Sequence, residues 1–238
     1  MNTKKNLKDN LFEINTHGGR INCLLLKGAK IFFHGLRGDR KIGSTHPCSP
    51  NFGKDPTNSG LPQHGPIRES DLIIKNQTTE SIELEKEIIH PSYPQGVIFN
   101  QRISLQNNGL SIITTHTNNN AKPVPVNFGE HCYWAAPDGC QGIRINKSDV
   151  TESVKANKTI MLLASNIIEI PGQPAITLEQ TGLNYAVLWS YQNPETKEFD
   201  NSYVCIEPLQ RSVETFGKEE SMIQSGKSSI TQVKIVLD

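Results

Sequence analysis

Three short stretches of this sequence carry side chains that could move protons or grip an anion. Leu61-Pro62-Gln63-His64-Gly65-Pro66-Ile67-Arg68 sets an imidazole and a guanidinium four residues apart. Asn127-Phe128-Gly129-Glu130-His131-Cys132-Tyr133-Trp134 places a histidine between a glycine turn and two aromatic side chains. Tyr203-Val204-Cys205-Ile206-Glu207-Pro208 closes an apolar run on a carboxylate. Imidazole exchanges protons near neutral pH, and a carboxylate drawn partly out of water becomes a better base. Aromatic faces give a sugar or another flat ligand an apolar surface to lie on. Guanidinium holds phosphate through paired hydrogen bonds. Each stretch also has a plain structural reading. His64 fits a hydrogen-bonding loop side chain, His131 a strand-end histidine packed on core aromatics, and Glu207 a solvated strand-end carboxylate. Arg68 fits a surface or ion-paired cation. Spacing alone leaves both readings of each residue open.

The elements that must position these residues read as β-strands. The first stretch, with the Gly/Pro-rich run Ile42-Gly43-Ser44-Thr45-His46-Pro47-Cys48-Ser49-Pro50-Asn51-Phe52-Gly53 before it, combines prolines that fix the backbone with glycines that free it. That composition excludes a helix or a regular strand over Leu61–Arg68 and predicts a surface loop. Around it lie short apolar runs closed by turn residues, at 21–26, 29–33, 71–76, 81–88, 97–105 and 110–117. The run at 81–88 alternates apolar and charged residues, as a strand with one wet face does. Asn107-Asn108-Gly109 is a tight-turn signal that makes 97–117 a hairpin. Further strands are expected at 159–163, 175–179, 185–190, 203–206 and 231–237, with a helical turn or two at 150–158. Many short strands without alternating helices predict an antiparallel all-β sandwich or barrel, and no linker divides residues 1–238, so a single domain is expected.

Bulk properties remove several classes of function. Lys+Arg and Asp+Glu balance at 24 each in 238 residues, and the chain has no basic run, so neither nucleic acid nor an anionic membrane is an expected partner. No run of 18 apolar residues exists to cross a membrane as a helix. Lys4, Lys5 and Lys8 are followed by no apolar stretch, which argues against a secretory leader. The five cysteines are scattered without a C-x-x-C, which predicts reduced thiols in the cytoplasm and no zinc framework. No H-x-H or H-x-x-x-H pair is present, so no metal is expected. Gly226-Lys227-Ser228 imitates the end of a phosphate-binding loop. That motif needs a glycine where this chain has Ser221 and a helix where it has a strand pattern, so no nucleotide site is expected there.

Taken in order, the L-P-Q-H-G-x-x-R loop with His64, the N-x-G-x-H-x-Y stretch with His131 and the V-C-I-E-P stretch with Glu207 resemble the aldose 1-epimerase, or galactose mutarotase-like, superfamily. The resemblance runs from about residue 20 to the C-terminus. Pro50-Asn51-Phe52-Gly53 leading into the loop is most similar to the glucose-6-phosphate 1-epimerase-like branch. The chain departs from the usual pattern at Pro66 and Ile67, at Cys132 and Trp134, and at Leu209. The resemblance implies a large antiparallel β-sandwich and an isomerase of carbohydrate metabolism that interconverts the α and β anomers of a hexose or hexose 6-phosphate. No cofactor or metal is implied, and the protein would act as a monomer or homodimer. It implies Glu207 as base, His131 as acid and His64 as the group that holds sugar hydroxyls, with Tyr133 lining the site. Arg68 and, behind it, Arg40 would hold a phosphate. The stretch between His131 and Glu207 is short for the family, and the nearest candidate for a substrate-binding aspartate there is Asp149. A carbohydrate-binding protein on the same fold with its chemistry lost is the alternative.

Overall fold

The computed structural model describes residues 1–237. Its largest element is a nine-stranded antiparallel sheet in the order Ser148–Asp149, Arg144–Ile145, Ser165–Glu169, Ile176–Thr181, Ser228–Leu237, Gly109–Asn118, Tyr93–Gln106, Ser81–His90, Ile73–Gln77. Asn107 and Asn108 form the two-residue turn that sets Gln106 against Gly109, and from there the register runs unbroken to Val97 against Asn118. Alternation places Ile82, Leu84 and Ile88 in the core and Glu83, Glu85 and Glu87 toward water, as a strand with one buried face requires.

The second sheet carries the three stretches. Its order is Thr159–Met161, Tyr185–Trp189, Tyr203–Leu209, Gly129–His131, His46–Cys48, and Tyr133–Ala135 continues the pairing along Tyr203–Leu209. Tyr203–Leu209 is buried along its whole length, so its two faces meet different surroundings. Val204 and Ile206 join Trp134, Phe32 and Phe99 in the main apolar core. Tyr203 and Cys205 instead pack with Tyr133 and Trp189 on the opposite face. The packed sheets make an antiparallel β-sandwich, as expected. Among the described residues, no helix is long and apolar enough to cross a membrane.

Several elements differ from the expectation. Met1–Asn15, read only for the absence of a leader, is a hairpin of Asn2–Leu7 and Asn10–Asn15 that continues through Arg20–Leu26 to Ala29–Lys30 in a four-stranded sheet. Ser165–Glu169 is an additional strand. The expected strand at 29–33 stops at Lys30, and Phe32 bridges to Trp134 instead. The helical segment shrinks to Thr151–Lys155. Part of the Gly/Pro-rich run is a strand after all, because His46–Cys48 pairs with Gly129–His131 at the sheet edge, where a proline costs no ladder bond.

Candidate active site

Strand register explains how residues far apart in sequence meet. Gly129 pairs with Leu209 and Tyr133 with Cys205, so His131, midway between, stands opposite Glu207. His131 also pairs with His46 on its other side, and Glu207 pairs with Val187. His46, His131, Glu207 and Val187 thus form one row across four strands. Trp189, Cys205 and Tyr133 form the next row on the same face. Opposed side chains in an antiparallel pair sit about 4.5–5.5 Å apart at Cβ, and here His131 Nδ1 lies 3.5 Å from Glu207 Oε2. The row opens into a cavity of about 840 Å³, lined by His46, His64, His131, Tyr133, Trp189 and Glu207 among others. That size suits a small ligand.

Three rings stack into a column. His46 lies 4.9 Å from His131, and His131 lies 4.7 Å from Tyr133 at an interplanar angle of 8°. His46 Nδ1 donates to Ser44 O at 2.7 Å, which fixes its tautomer. His131 Nδ1, by contrast, is buried and has no hydrogen-bond partner. Burial pushes the Glu207 carboxyl well above the usual range, with the Arg37 guanidinium opposing the shift. Burial pushes His131 well below its usual value, and His46, His64, Arg37 and Arg68 push it further. Both shifts disfavour the charged form of each group, and burial is the largest cause in both.

His64 reaches the cavity from the loop. Its Nδ1 accepts from the Gly53 N–H at 3.2 Å and touches Cys48 Sγ at 3.2 Å, which leaves the proton of the neutral ring on Nε2. Burial, with Arg68 and Arg37, pushes its pKa down to about 4. The loop is less superficial than expected. Ile67 is fully buried, and Ile67–Glu69 forms a 3-10 turn. Asn51 Nδ2 donates to Gly53 O and Pro62 O, and the His64 N–H donates to Gly53 O. Gly65 has φ of +72°, and a Cβ there would come within 1.9 Å of Ser49 O. Gly65→Ala should therefore cost about 1–3 kcal/mol of stability from backbone strain and displace His64. Chemical denaturation and ligand affinity measured together check this, and an unchanged midpoint would contradict the close packing.

Of the two arginines expected to hold phosphate, Arg68 lines the cavity and Arg40 does not. Arg40 is exposed, has φ of +62°, and donates its N–H to Arg37 O in a turn. The turn faces Arg37 inward in its place. Arg37 donates to Tyr133 Oη at 2.8 Å, is held by Asp39 at 2.5 Å, and lies over the Trp189 ring at 5.1 Å. Arg20 is a second cation that sequence reasoning passed over, bonded to Arg68 O and to Glu69. Arg68 itself donates to Glu69 at 3.0 Å. Asp149 lies outside the cavity, exposed and accepting from the Thr151 N–H. Trp134, the second aromatic after His131, points into the core because it is one residue out of phase with Tyr133, and Trp189 lines the cavity beside Tyr133.

On the core face, one residue out of phase with His131, Glu130 accepts from Gln101 at 2.5 Å. Burial pushes its carboxyl up to about 8, against the pull of Gln101. An unfolded glutamate titrates near pH ~4.3, so between these values the native state keeps a proton that the unfolded chain has lost. The resulting stability is fully present below the unfolded value and is lost as pH rises through the folded one. The wild-type minus Glu130→Gln stability difference should fall with pH over that window by up to about 1.4 kcal/mol per unit. Denaturation at a series of pH values measures it, and a slope of zero would contradict the shift.

The chain is thus a β-sandwich whose open face sets His131 beside Glu207 in a cavity. The aldose 1-epimerase profile matches residues 23–225, and the chain belongs to the aldose 1-epimerase family. Comparison with curated proteins gives no match. Among solved structures, a galactose mutarotase related enzyme from Lactobacillus acidophilus superposes with a TM-score of 0.80 at 15% identity, covering 100% of this chain and 97% of its own. A galactose mutarotase-like protein from Lactobacillus casei gives 0.80 at 14% identity, covering 100% of both. Galactose 1-epimerase from Lactobacillus acidophilus NCFM gives 0.73 at 11% identity, covering 98% of this chain and 92% of its own. At such identities the likeness is one of fold.

Proposed function

We propose that this chain is a mutarotase that interconverts the anomers of a hexose or hexose 6-phosphate. The observation that carries the reading is the His131–Glu207 pair, abreast on neighbouring strands with 3.5 Å between Nδ1 and Oε2 and both lining the cavity. Anomer exchange requires one group to take the proton from the C1 hydroxyl while another delivers one to the ring oxygen. After rotation at C1 the same transfers run in reverse. Both oxygens are bonded to C1, so two adjacent groups can reach them together. The two groups thus act side by side on oxygens that share one carbon.

The reaction consumes no net proton, and a pair holding one proton is what it needs. Glu207 serves as base and His131 as acid when that proton sits on the imidazole. Rate should fall where the pair gains a second proton at low pH and where it loses its last at high pH, with a plateau through neutrality. His64, carrying a proton on Nε2, donates to a sugar oxygen. Tyr133 and Trp189 supply apolar wall.

The cationic rim of Arg20, Arg37, Lys41 and Arg68 supports a phosphorylated sugar over a free one. The decisive measurement follows anomer equilibration of freshly dissolved glucose, galactose and glucose 6-phosphate by polarimetry or NMR. Acceleration above the spontaneous rate, greatest for the phosphate ester, is the expected result. The spontaneous rate on every sugar would end the enzymatic reading, and saturable binding without turnover would establish a carbohydrate-binding protein on the same fold.

A further inference from the structure

We propose that His131, Cys205 and Glu207 form a site for one thiophilic divalent cation of the zinc kind, and that its occupancy blocks the proton-handling pair. Cys205 and Glu207 are two apart on one strand and therefore share a face. His131 is directly opposite Glu207 and diagonal to Cys205 in the register described above. One donor atom from each of the three lies within 4.8 Å of the others, and all three residues are buried. Among the described residues, no other group of three or more such side chains comes together in this way.

A second observation points the same way. His131 is 6% exposed, yet its Nδ1 has no hydrogen-bond partner, although a buried polar atom normally has one. That lone nitrogen faces the Glu207 carboxylate. A donor set of one imidazole, one thiol and one carboxylate suits zinc, cobalt or cadmium and is foreign to magnesium or calcium, which take oxygen ligands. A tetrahedral ion with bonds of about 2.0–2.3 Å holds its donors roughly 3.3–3.8 Å apart, so the cluster closes on an ion through side-chain shifts of about an ångström. His131 and Glu207 line the cavity and Cys205 lies just beyond them beside Tyr133 and Trp189. The fourth position therefore opens to the cavity, where water or a sugar hydroxyl completes the shell. On binding, Cys205 enters as thiolate and Glu207 as carboxylate. Their protons pass to solvent, and no electron changes hands. Histidine spacing could not reveal such a site, because its ligands come from two strands joined only by register.

The coordination stands independently of the mutarotase reading, whereas the blockade rests on it, and the experiment separates the two. The full chain is titrated with Co²⁺ under reducing conditions and then with Zn²⁺. One equivalent of Co²⁺ should produce a sulfur-to-cobalt charge-transfer band with the visible absorption of a tetrahedral ion, and Zn²⁺ should displace it. Cys205→Ser and Cys205→Ala should abolish the sulfur band and weaken Zn²⁺ binding at least about tenfold, the lower end of what even outer-shell partners contribute. Cys48→Ser, which removes the other thiol beside a cavity histidine, should leave both unchanged. Absence of the band in wild type, or its survival in folded Cys205→Ser and Cys205→Ala, overturns the site. In the activity arm, Zn²⁺ should inhibit wild type and spare Cys205→Ser, each compared with its own metal-free rate. Equal inhibition overturns the blockade. A chain inactive on every sugar would sink the mutarotase reading and leave the coordination result intact.

Discussion

Glu207→Gln should reduce the accelerated part of anomer exchange about 10²–10⁴-fold, the range a positioned proton-transfer group contributes, and leave folding intact. Glutamine keeps the size and polarity of the side chain and removes only its capacity to take and return a proton. The site makes this substitution unusually clean. Glu207 is 2% exposed, and His131 Nδ1 beside it at 3.5 Å forms no hydrogen bond, so the substitution breaks no bond between the two. Burial already disfavours the charged carboxylate, and a neutral amide relieves that cost, so stability should hold or rise. Polarimetry for the rate and a denaturation curve for the fold, on the same preparation, give the answer. A variant with the wild-type rate would remove Glu207 from the mechanism and with it the reading of the row.

Trp134→Ala should be the most damaging single change to the fold, at about 3–5 kcal/mol, the usual cost of emptying a buried aromatic site. Trp134 is fully buried, meets Phe32 edge to face at 5.3 Å between centroids, and donates its indole N–H to Ile206 O at 3.0 Å. The last contact matters twice. It anchors the ring, and it satisfies a carbonyl of the strand that carries Cys205 and Glu207. Truncation leaves a cavity and an orphaned carbonyl on the core side of the strand Tyr203–Leu209. Chemical denaturation should show the loss, and a shift below about 1 kcal/mol would mean that the neighbouring side chains collapse into the space.

The sequence made some of this legible and hid the rest for identifiable reasons. Period-two alternation and the Asn-Asn-Gly turn locate the central hairpin because both signals are local. The same alternation, applied to His131, Tyr133 and Trp134, already separates the cavity face from the core face. Tyr133 shares the face of His131 and Trp134 cannot. The N-terminal hairpin was equally readable from buried Phe12 and Ile14 spaced by two after the Lys8-Asp9-Asn10 turn. Other features were beyond local reading. His46 joins the site by pairing with His131, 85 positions away, and nothing in Ser44-Thr45-His46-Pro47 announces it. Arg37 and Arg40 flank the same turn with the same chemistry, and only the turn's hydrogen bond from Arg40 N–H to Arg37 O decides which one faces inward. The opposition of His131 and Glu207 is a matter of register between distant strands, which the motifs name but do not pair.

The two tryptophans of this chain are divided between the two sides of one sheet. Trp134 is sealed in the core, while Trp189 borders the cavity beneath the Arg37 guanidinium. The protein therefore carries its own optical gauge. Any change in indole emission when a ligand enters the cavity originates at Trp189, against a constant signal from Trp134. Unfolding of the core shifts both. Occupancy and integrity can thus be followed by fluorescence in one cuvette, without a label and without turnover.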